Sequence, residues 1–413
     1  MILSPISSSS VARFLATILM ALNLFTTIPA AAQTRDLAAA LASVPNGGIL
    51  ELPGGDWGTL HLRGSGPSVI RSADPSDPAV FSEMFVKDVE GLRLENLLLK
   101  YDWDREDPIW KKPFQIVQSS NVILVGLHVE GDIAREGSDV DRGFPWAFGL
   151  SIQDSQDIIL QGNEIFKFYR GLVLGNSDRI EVLSNNIHSI RMDGMNFAAV
   201  QDVQIVNNRI HDFNRSLASG DHADMIQFWT NKTTRPNTGI VIRDNVLNSG
   251  GGGYTQSIFM RNEEVDQKRA GSEMFYRDVL IEGNVILNAH RHGITLGESQ
   301  DVVIRNNTLV QNAQSADGDA KRKVWMPQIS VAGASRDVVI EGNIAASIPD
   351  PRSGWRISNN LEVQPYARME PGFYGQVFAG IPDGDPADPV SYAPRPGGPA
   401  DRPGLGAARL RAR

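Results

Sequence analysis

A short phrase, a β-branched or leucine strand closed by asparagine, recurs along this chain and limits its possible folds more than any other feature. It reads DIILQGNEI, RIEVLSNNI, DVQIVNNRI, GIVIRDNVL, DVLIEGNVI, DVVIRNNTL and DVVIEGNIA. Its asparagine falls at Asn163, Asn185, Asn208, Asn245, Asn284, Asn307 and Asn343, with a degenerate last copy at Asn360. The intervals of 22, 23, 37, 39, 23, 36 and 17 residues describe a unit near 22 or 23 that three times carries an insertion. A unit so short, alternating on a two-residue period and ending in Asn or Gly, is one coil of a solenoid. Periodicity at helical spacing is missing, which excludes helical repeats. The asparagines are read as structural: each coil must turn a corner, Asn tolerates left-handed backbone angles, and stacked amides can bond from coil to coil.

A chain of 413 residues would allow two or three domains. A solenoid instead lengthens along its axis without starting a second core, so one elongated domain is expected over residues 33–364. Residues 1–32 are read as an export signal that is cleaved. Arg13 precedes an apolar run from Phe14 to Phe25, and Ile28-Pro29-Ala30-Ala31-Ala32 offers the small residues a signal peptidase needs. That run is short for a membrane span, so no stable membrane insertion is expected after cleavage, and the mature protein is placed outside the cytoplasm, secreted or periplasmic. Cysteine is absent, which rules out disulfides and thiolate metal sites. The net charge of −9, with no basic stripe, argues against nucleic acid as a partner. An acidic polysaccharide would meet the same repulsion unless a groove is locally basic. The chain is taken to be a monomer.

A short amphipathic helix from about Asp36 to Ser43, with Leu37 and Leu41 facing inward, is expected to cover the open end of the solenoid. Early coils from Gly91 to Leu99 and from Val122 to Val129 carry Leu97 and Leu127 where later ones have Asn. Between them, KYDWDREDPIWKKPF reads as a loop in which Trp103, Trp110 and Lys111 could contact a sugar. From Gln364 to Arg413 the composition turns to Pro, Gly and Asp, which predicts an extended tail sheltering the last coil around Phe373 to Ile381 and then disorder.

After each Asn phrase comes a second strand with an inward apolar pair: Leu172/Leu174, Met195/Phe197, Ile226/Phe228, Ile258/Met260, Ile294/Leu296 and Ile329/Val331. Two residues before each pair stands a column, Arg170, Asp193, Asp224, Gln256 and His292, and four before it another, Phe168, Arg191, His222, Tyr254 and His290. So many ionisable groups in register, including three of the seven histidines, point to a site. The insertions fall beside these strands, at His211 to Asp221, Trp229 to Thr238, Asn262 to Arg277 and Gln311 to Pro327, and would wall a groove centred on Asp224.

Neighbouring parallel strands lie about 4.8 Å apart, so the carboxyls of Asp193 and Asp224 should lie roughly 5 Å apart and share a proton or a cation, Ca²⁺ among them. His222 is expected beside Asp224, an arrangement that makes a general base, with Gln227 or Gln256 joining them. His292 should lie two coils on, with Arg261 projecting from the coil between. His290 and His292 share one side of a strand, where they could bind substrate or, with Asp224 or His222, a transition metal.

The repeat resembles that of right-handed parallel β-helix proteins, the pectate-lyase-like superfamily, from about residue 34 to 364. The resemblance implies an all-β fold, a single-stranded right-handed parallel β-helix with an N-terminal capping helix. It also implies action on a polysaccharide, commonly a uronic-acid polymer, by cleavage or epimerisation. Arg191-Met192-Asp193-Gly194 resembles the Asn-Thr-Asp-Gly phrase of the polygalacturonases, and Arg291-His292-Gly293 their Gly-His-Gly. Asp221 to Asp224 resembles their Gly-Asp-Asp, with Asp224 in register and Ala223 where the other Asp belongs. Asp221-His222 is compared with the Asp-Pro-His of the mannuronan epimerases and lacks the proline. For a uronate lyase or epimerase the reading assigns His222 or His292 as base, Tyr254 as acid, and Arg261, Arg191, Arg170 or Ca²⁺ as the cation on the substrate carboxylate. Lyase-type elimination leads. A hydrolase with Asp193 and Asp224 as acid and base or nucleophile, and a non-catalytic polysaccharide-binding solenoid, stay open.

Overall fold

A computed structural model describes residues 34–316, 326–381 and 383–411. The proposed export signal lies outside them, as does much of the Gln311 to Pro327 insertion. Each coil contributes one strand to each of three parallel sheets, two of twelve strands (A and B) and one of ten (C). One coil illustrates the winding: Gln156–Gln161 in sheet A, Glu164–Phe166 in B and Phe168–Gly175 in C. Alternation sends every second side chain inward. Ile158, Ile180, Val203, Ile240 and Val279 stack in register down sheet A and are essentially buried. Each such burial contributes about 1.5 to 3 kcal/mol.

Between sheets A and B the asparagines form a continuous ladder. Asn208 Oδ1 accepts from the backbone N–H of Asn185 at 2.8 Å and from its Nδ2 at 3.0 Å, and Asn245 Oδ1 does the same for Asn208. The left-handed angle expected at these residues falls one position earlier, at Gly162, Ser184, Asn207 and Asp244, with φ of 63°, 55°, 56° and 55°. The division of labour has a cause: the turn needs a residue that tolerates positive φ, while the ladder Asn must aim its amide into the stack. Leu127 ends the ladder, its N–H donating to Asn163 Oδ1 at 2.9 Å.

The helix Leu37–Ala42 has Asp36 as its N-cap, and Leu37, Ala40 and Leu41 pack against the core. The other end departs from expectation. Beyond Ile381 the described residues do not trail away: Tyr392, Leu405 and Leu410 join Tyr374, Val377 and Phe378 in a second core over Val285, Leu287, Val310 and Ile344. The outer face of sheet B is apolar in those coils, so a Pro- and Gly-rich segment borrows the sheet's surface for a core it could not build alone.

Sheet C holds the groove-facing columns, and its register answers a difficulty in the sequence pattern. Strict alternation would put Arg170, Asp193 and Asp224 on the same side as the inward residues two positions later. Ala223, Met225, Ile226 and Phe228 all lie in the core. Met225 and Ile226 are thus consecutive inward residues, and Asp224, between Ala223 and Met225, points the other way. The same slip occurs at Gly194, where an added Cβ would meet Ile210 and Phe213. Phe168, placed by sequence in the outer column, belongs to the core instead. Its coil has one residue fewer in the corner, seven from Asn163 to Arg170 against eight from Asn185 to Asp193.

Candidate active site

Asp193 and Asp224 stand on adjacent coils, joined by the Gly194 N–H donating to the Asp224 carbonyl at 2.8 Å. Both carboxyls are wholly buried, and one ligand atom from each, with one from His222, lie within 4.8 Å of one another. The side chain of His222 is 51% exposed and its Nδ1 is 3.0 Å from Asp224 Oδ2. Arg170 Nε is 3.0 Å from Asp193 Oδ2, and its guanidinium lies 5.2 Å from the centre of the Phe148 ring.

Burial pushes Asp193 up to about 7 against the pull of Arg170, with the Asp224 charge adding to the rise. Burial also raises Asp224, opposed by its hydrogen bond to His222. That hydrogen bond raises His222 above the usual imidazole range in spite of its burial. The two carboxyls thus titrate as a coupled pair, with Asp193 holding a proton below neutral pH.

Gln227, expected beside the acids, and Asn196, which the sequence reading passed over, complete this network. Asn196 donates from Nδ2 to Asp193 Oδ2 at 2.9 Å and to Gln227 Oε1, and accepts from Trp229 Nε1 at 2.8 Å. The signal was available: Asn196 and Gln227 lie between the members of the inward pairs and pair in register, so they face the groove one step from the acids. Gln256 sits opposite Asp224 in the next coil and is nearly buried.

His290 and His292 lie further along, their rings stacked at 5.0 Å, and the Phe259 ring stands between His292 at 5.1 Å and His222 at 6.3 Å. Burial lowers His290 to about 3 and His292 to about 4, so both are neutral imidazoles at ordinary pH. His290 Nδ1 accepts from the His292 N–H at 3.2 Å, and His292 Nδ1 is 2.8 Å from Thr295 Oγ1. The ring of Tyr254 is 5.6 Å from that of His290. The structure groups these three apart from the acid pair. Arg261 is drawn away as well, its Nε 2.8 Å from Asp266. Arg191 is buried and pairs with Asp141 at 2.8 Å and Asp221 at 3.6 Å.

The donor set suits Ca²⁺ poorly. Calcium takes six to eight oxygens, whereas Asn196 and His222 already hydrogen-bond these two carboxylates and Arg170 Nε lies 3.0 Å from one of them, so that among the described residues one oxygen on each, Asp193 Oδ1 and Asp224 Oδ1, is without a partner.

Residues 146–359 match the family described as right handed beta helix region, more than half of the chain. The chain belongs to that family. A comparison of this β-helix with curated proteins found no match. Among solved structures it is similar to PfbA, a surface adhesin of Streptococcus pneumoniae, at 13% identity and a TM-score of 0.43, covering 81% of this chain and 90% of that one. The Dettilon tailspike protein aligns at 13% identity and a TM-score of 0.46, over 79% of this chain and 60% of its own. An alginate lyase from Paenibacillus sp. aligns at 11% and 0.35, over 78% and 95%. Identities this low leave the chemistry of the β-helix to its own side chains.

Proposed function

We propose that this β-helix is a secreted or periplasmic carbohydrate-active enzyme that cleaves an acidic, uronic-acid-containing polysaccharide by lyase-type β-elimination. The observation that carries the reading is the difference in exposure across one hydrogen bond. Asp224 is wholly buried while the His222 side chain bonded to it is 51% exposed. The atom a polymer in the groove can reach is therefore the outer ring nitrogen, Nε2, of an imidazole whose tautomer a buried carboxylate fixes. In the elimination, neutral His222 takes the proton at C5 beside the sugar carboxylate, the C5 electron pair forms the C4–C5 double bond, and the C4–O bond breaks. The leaving oxygen takes up the proton that His222 now carries, which returns the imidazole to its neutral form. Arg170, partly exposed at the groove floor, supplies positive charge for the carboxylate.

A second reading has its own support. A buried carboxyl held near pH 7 beside another carboxylate is what a glycoside hydrolase needs as acid and base, which favours Asp193 and Asp224 as that pair. It ranks below elimination because both carboxyls are covered, and a hydrolase must bring them to the glycosidic oxygen and the anomeric carbon. Incubation with a panel of uronate polymers separates the readings. Ultraviolet absorbance of an unsaturated product together with new reducing ends supports the lyase, and reducing ends alone support the hydrolase. Neither signal turns the reading to an epimerase, which differs in the fate of the carbanion, or to a non-catalytic binder.

A further inference from the structure

Arg191 is a buried cation of the groove whose donors are only partly used. Its side chain is 2% exposed, and its ring neighbours are Phe144 at 5.8 Å and Tyr169 at 5.3 Å. Only Nη2 has a close acid, Asp141 Oδ1 at 2.8 Å, with Asp221 Oδ2 at 3.6 Å. Nε and Nη1 are buried and lack hydrogen-bond partners among the described residues. A guanidinium is a rigid fork that binds a carboxylate best through two parallel N–H bonds. Asp141 takes one. A residue that served only to staple two loops together would have no cause to keep two buried donors empty.

Asp141 arrives on an arm. Ile133 and Pro145 bridge antiparallel, and Ala134 and Phe144 close the base, with the Ala134 N–H donating to the Phe144 carbonyl at 3.0 Å. Beyond that base the residues from Arg135 to Asp139 are exposed. Among the described residues the tip's other links to the body run through exposed side chains: Arg135 Nη2 with Asp132 Oδ2 at 2.7 Å, Arg105 with Glu136 at 3.4 Å, and Arg135 Nη1 donating to the Trp103 carbonyl at 3.4 Å. Gly137 and Gly143 hold φ of 110° and 86°, so the backbone on either side of Asp141 has conformations open to few other residues.

We propose that Arg191 is a carboxylate-binding subsite of the groove, that Asp141 occupies it in place of a ligand, and that a carboxylate of a bound uronate chain displaces the arm. Exchange replaces a one-point contact at Nη2 with a two-point one that also fills one of the two orphaned donors. The flanking rings hold the guanidinium plane and keep water from the exchange. This inference rests on the uronate reading above but concerns binding alone.

The test uses the full chain with His222→Gln, which prevents turnover, with and without Asp141→Asn. Probes are trimers of galacturonate, guluronate, mannuronate and glucuronate, and a neutral glucose trimer. Asp141 is at the arm's surface, and thermal unfolding checks that D141N folds. The expected result is that at least one uronate trimer binds D141N about tenfold more tightly than the unchanged arm allows, as loss of a charge-assisted competitor implies. The neutral trimer should show no gain. The same uronate trimer should speed tryptic cleavage after Arg142 in the chain that keeps Asp141, and Arg191→Lys should abolish that effect. Equal affinity with and without Asp141, or cleavage that ignores the trimer, overturns the subsite and leaves Arg191 a staple. Unsaturated product with an unchanged KM in D141N, measured with His222 intact, would refute the subsite and leave the lyase standing. Trimer binding and arm release without any product would do the reverse.

Discussion

Nδ1 of His222 lies 3.0 Å from Oδ2 of Asp224, and the bond joins a half-exposed imidazole to a carboxylate that solvent does not reach. Alternation places the two side chains together, since they are two residues apart on one face of a strand. The consequence is an orientation that does not depend on the substrate being present. His222→Gln and Asp224→Asn should each lower turnover of the responsive polymer by about a hundredfold or more, the usual scale for a positioned general base. Because His222 is half exposed, H222Q should change stability by no more than about 0.5 kcal/mol, read by denaturant unfolding.

The same bond sets the pH dependence of activity. Asp224 holds His222 above the usual imidazole range, and the base must be neutral to act. The rate should therefore rise with pH through an inflection above about 6.5, the ordinary histidine value. Asp224→Asn removes the first cause of the rise, so residual activity in D224N should show its inflection at lower pH. Profiles of kcat/KM for the two proteins measure this.

Asp193 makes a claim on stability. Its carboxyl titrates near 7 when folded, against an ordinary value of 3.8. Between those values the folded protein binds the proton that the unfolded chain has lost, so stability falls as pH rises from about 4 to about 7. The slope can approach about 1.4 kcal/mol per pH unit for one such group. His222 acts in the same direction, since a raised folded value stabilises below the ordinary pKa and ceases to do so as pH climbs through the folded one. Asp193→Asn should flatten the dependence of the unfolding midpoint on pH and leave the parts of Asp224 and His222.

The ladder was legible in the sequence because one residue type recurs at one place, and the inward pairs of sheet C were legible because apolar residues alternate. The acid pair followed from those two registers. What escaped has physical causes. The slip at Met225 and Ile226 leaves no mark in composition, since both residues are apolar and both face in. Asp141 reaches Arg191 from fifty residues away along the chain, a closeness that no local pattern encodes. His292 stands in register with the acids, yet the Phe259 ring, whose outward direction alternation gives, separates it from His222. The tail's core depended on a neighbour: Val285, Leu287 and Val310 are apolar on a face that in earlier coils carries Phe166, His188 and His211.

Removal of an inner rung of the ladder should be costly. Asn208→Ala leaves the backbone N–H and the Nδ2 of Asn185 without their acceptor, both buried, at about 1 to 3 kcal/mol each. Asn360→Ala, at the partly exposed last rung, deprives Asn343 of a similar pair where water can substitute, and should cost less. Urea midpoints of the two variants give the comparison.

Deletion of residues 373–413 should uncover Val285, Leu287, Val310 and Ile344 together. An apolar patch of that kind favours association. The shortened protein should show a lower unfolding midpoint and concentration-dependent aggregation in light scattering, whereas a tail without a core of its own would be lost at no cost.

The most direct test of the account as a whole follows the absorbance of the new carbon–carbon double bond while the wild-type protein and H222Q act on the same panel of uronate polymers. The account expects the signal to grow with at least one polymer for the wild type and to vanish for a folded H222Q. Growth at the same rate in both proteins would mean that a different group removes the proton, and would contradict it.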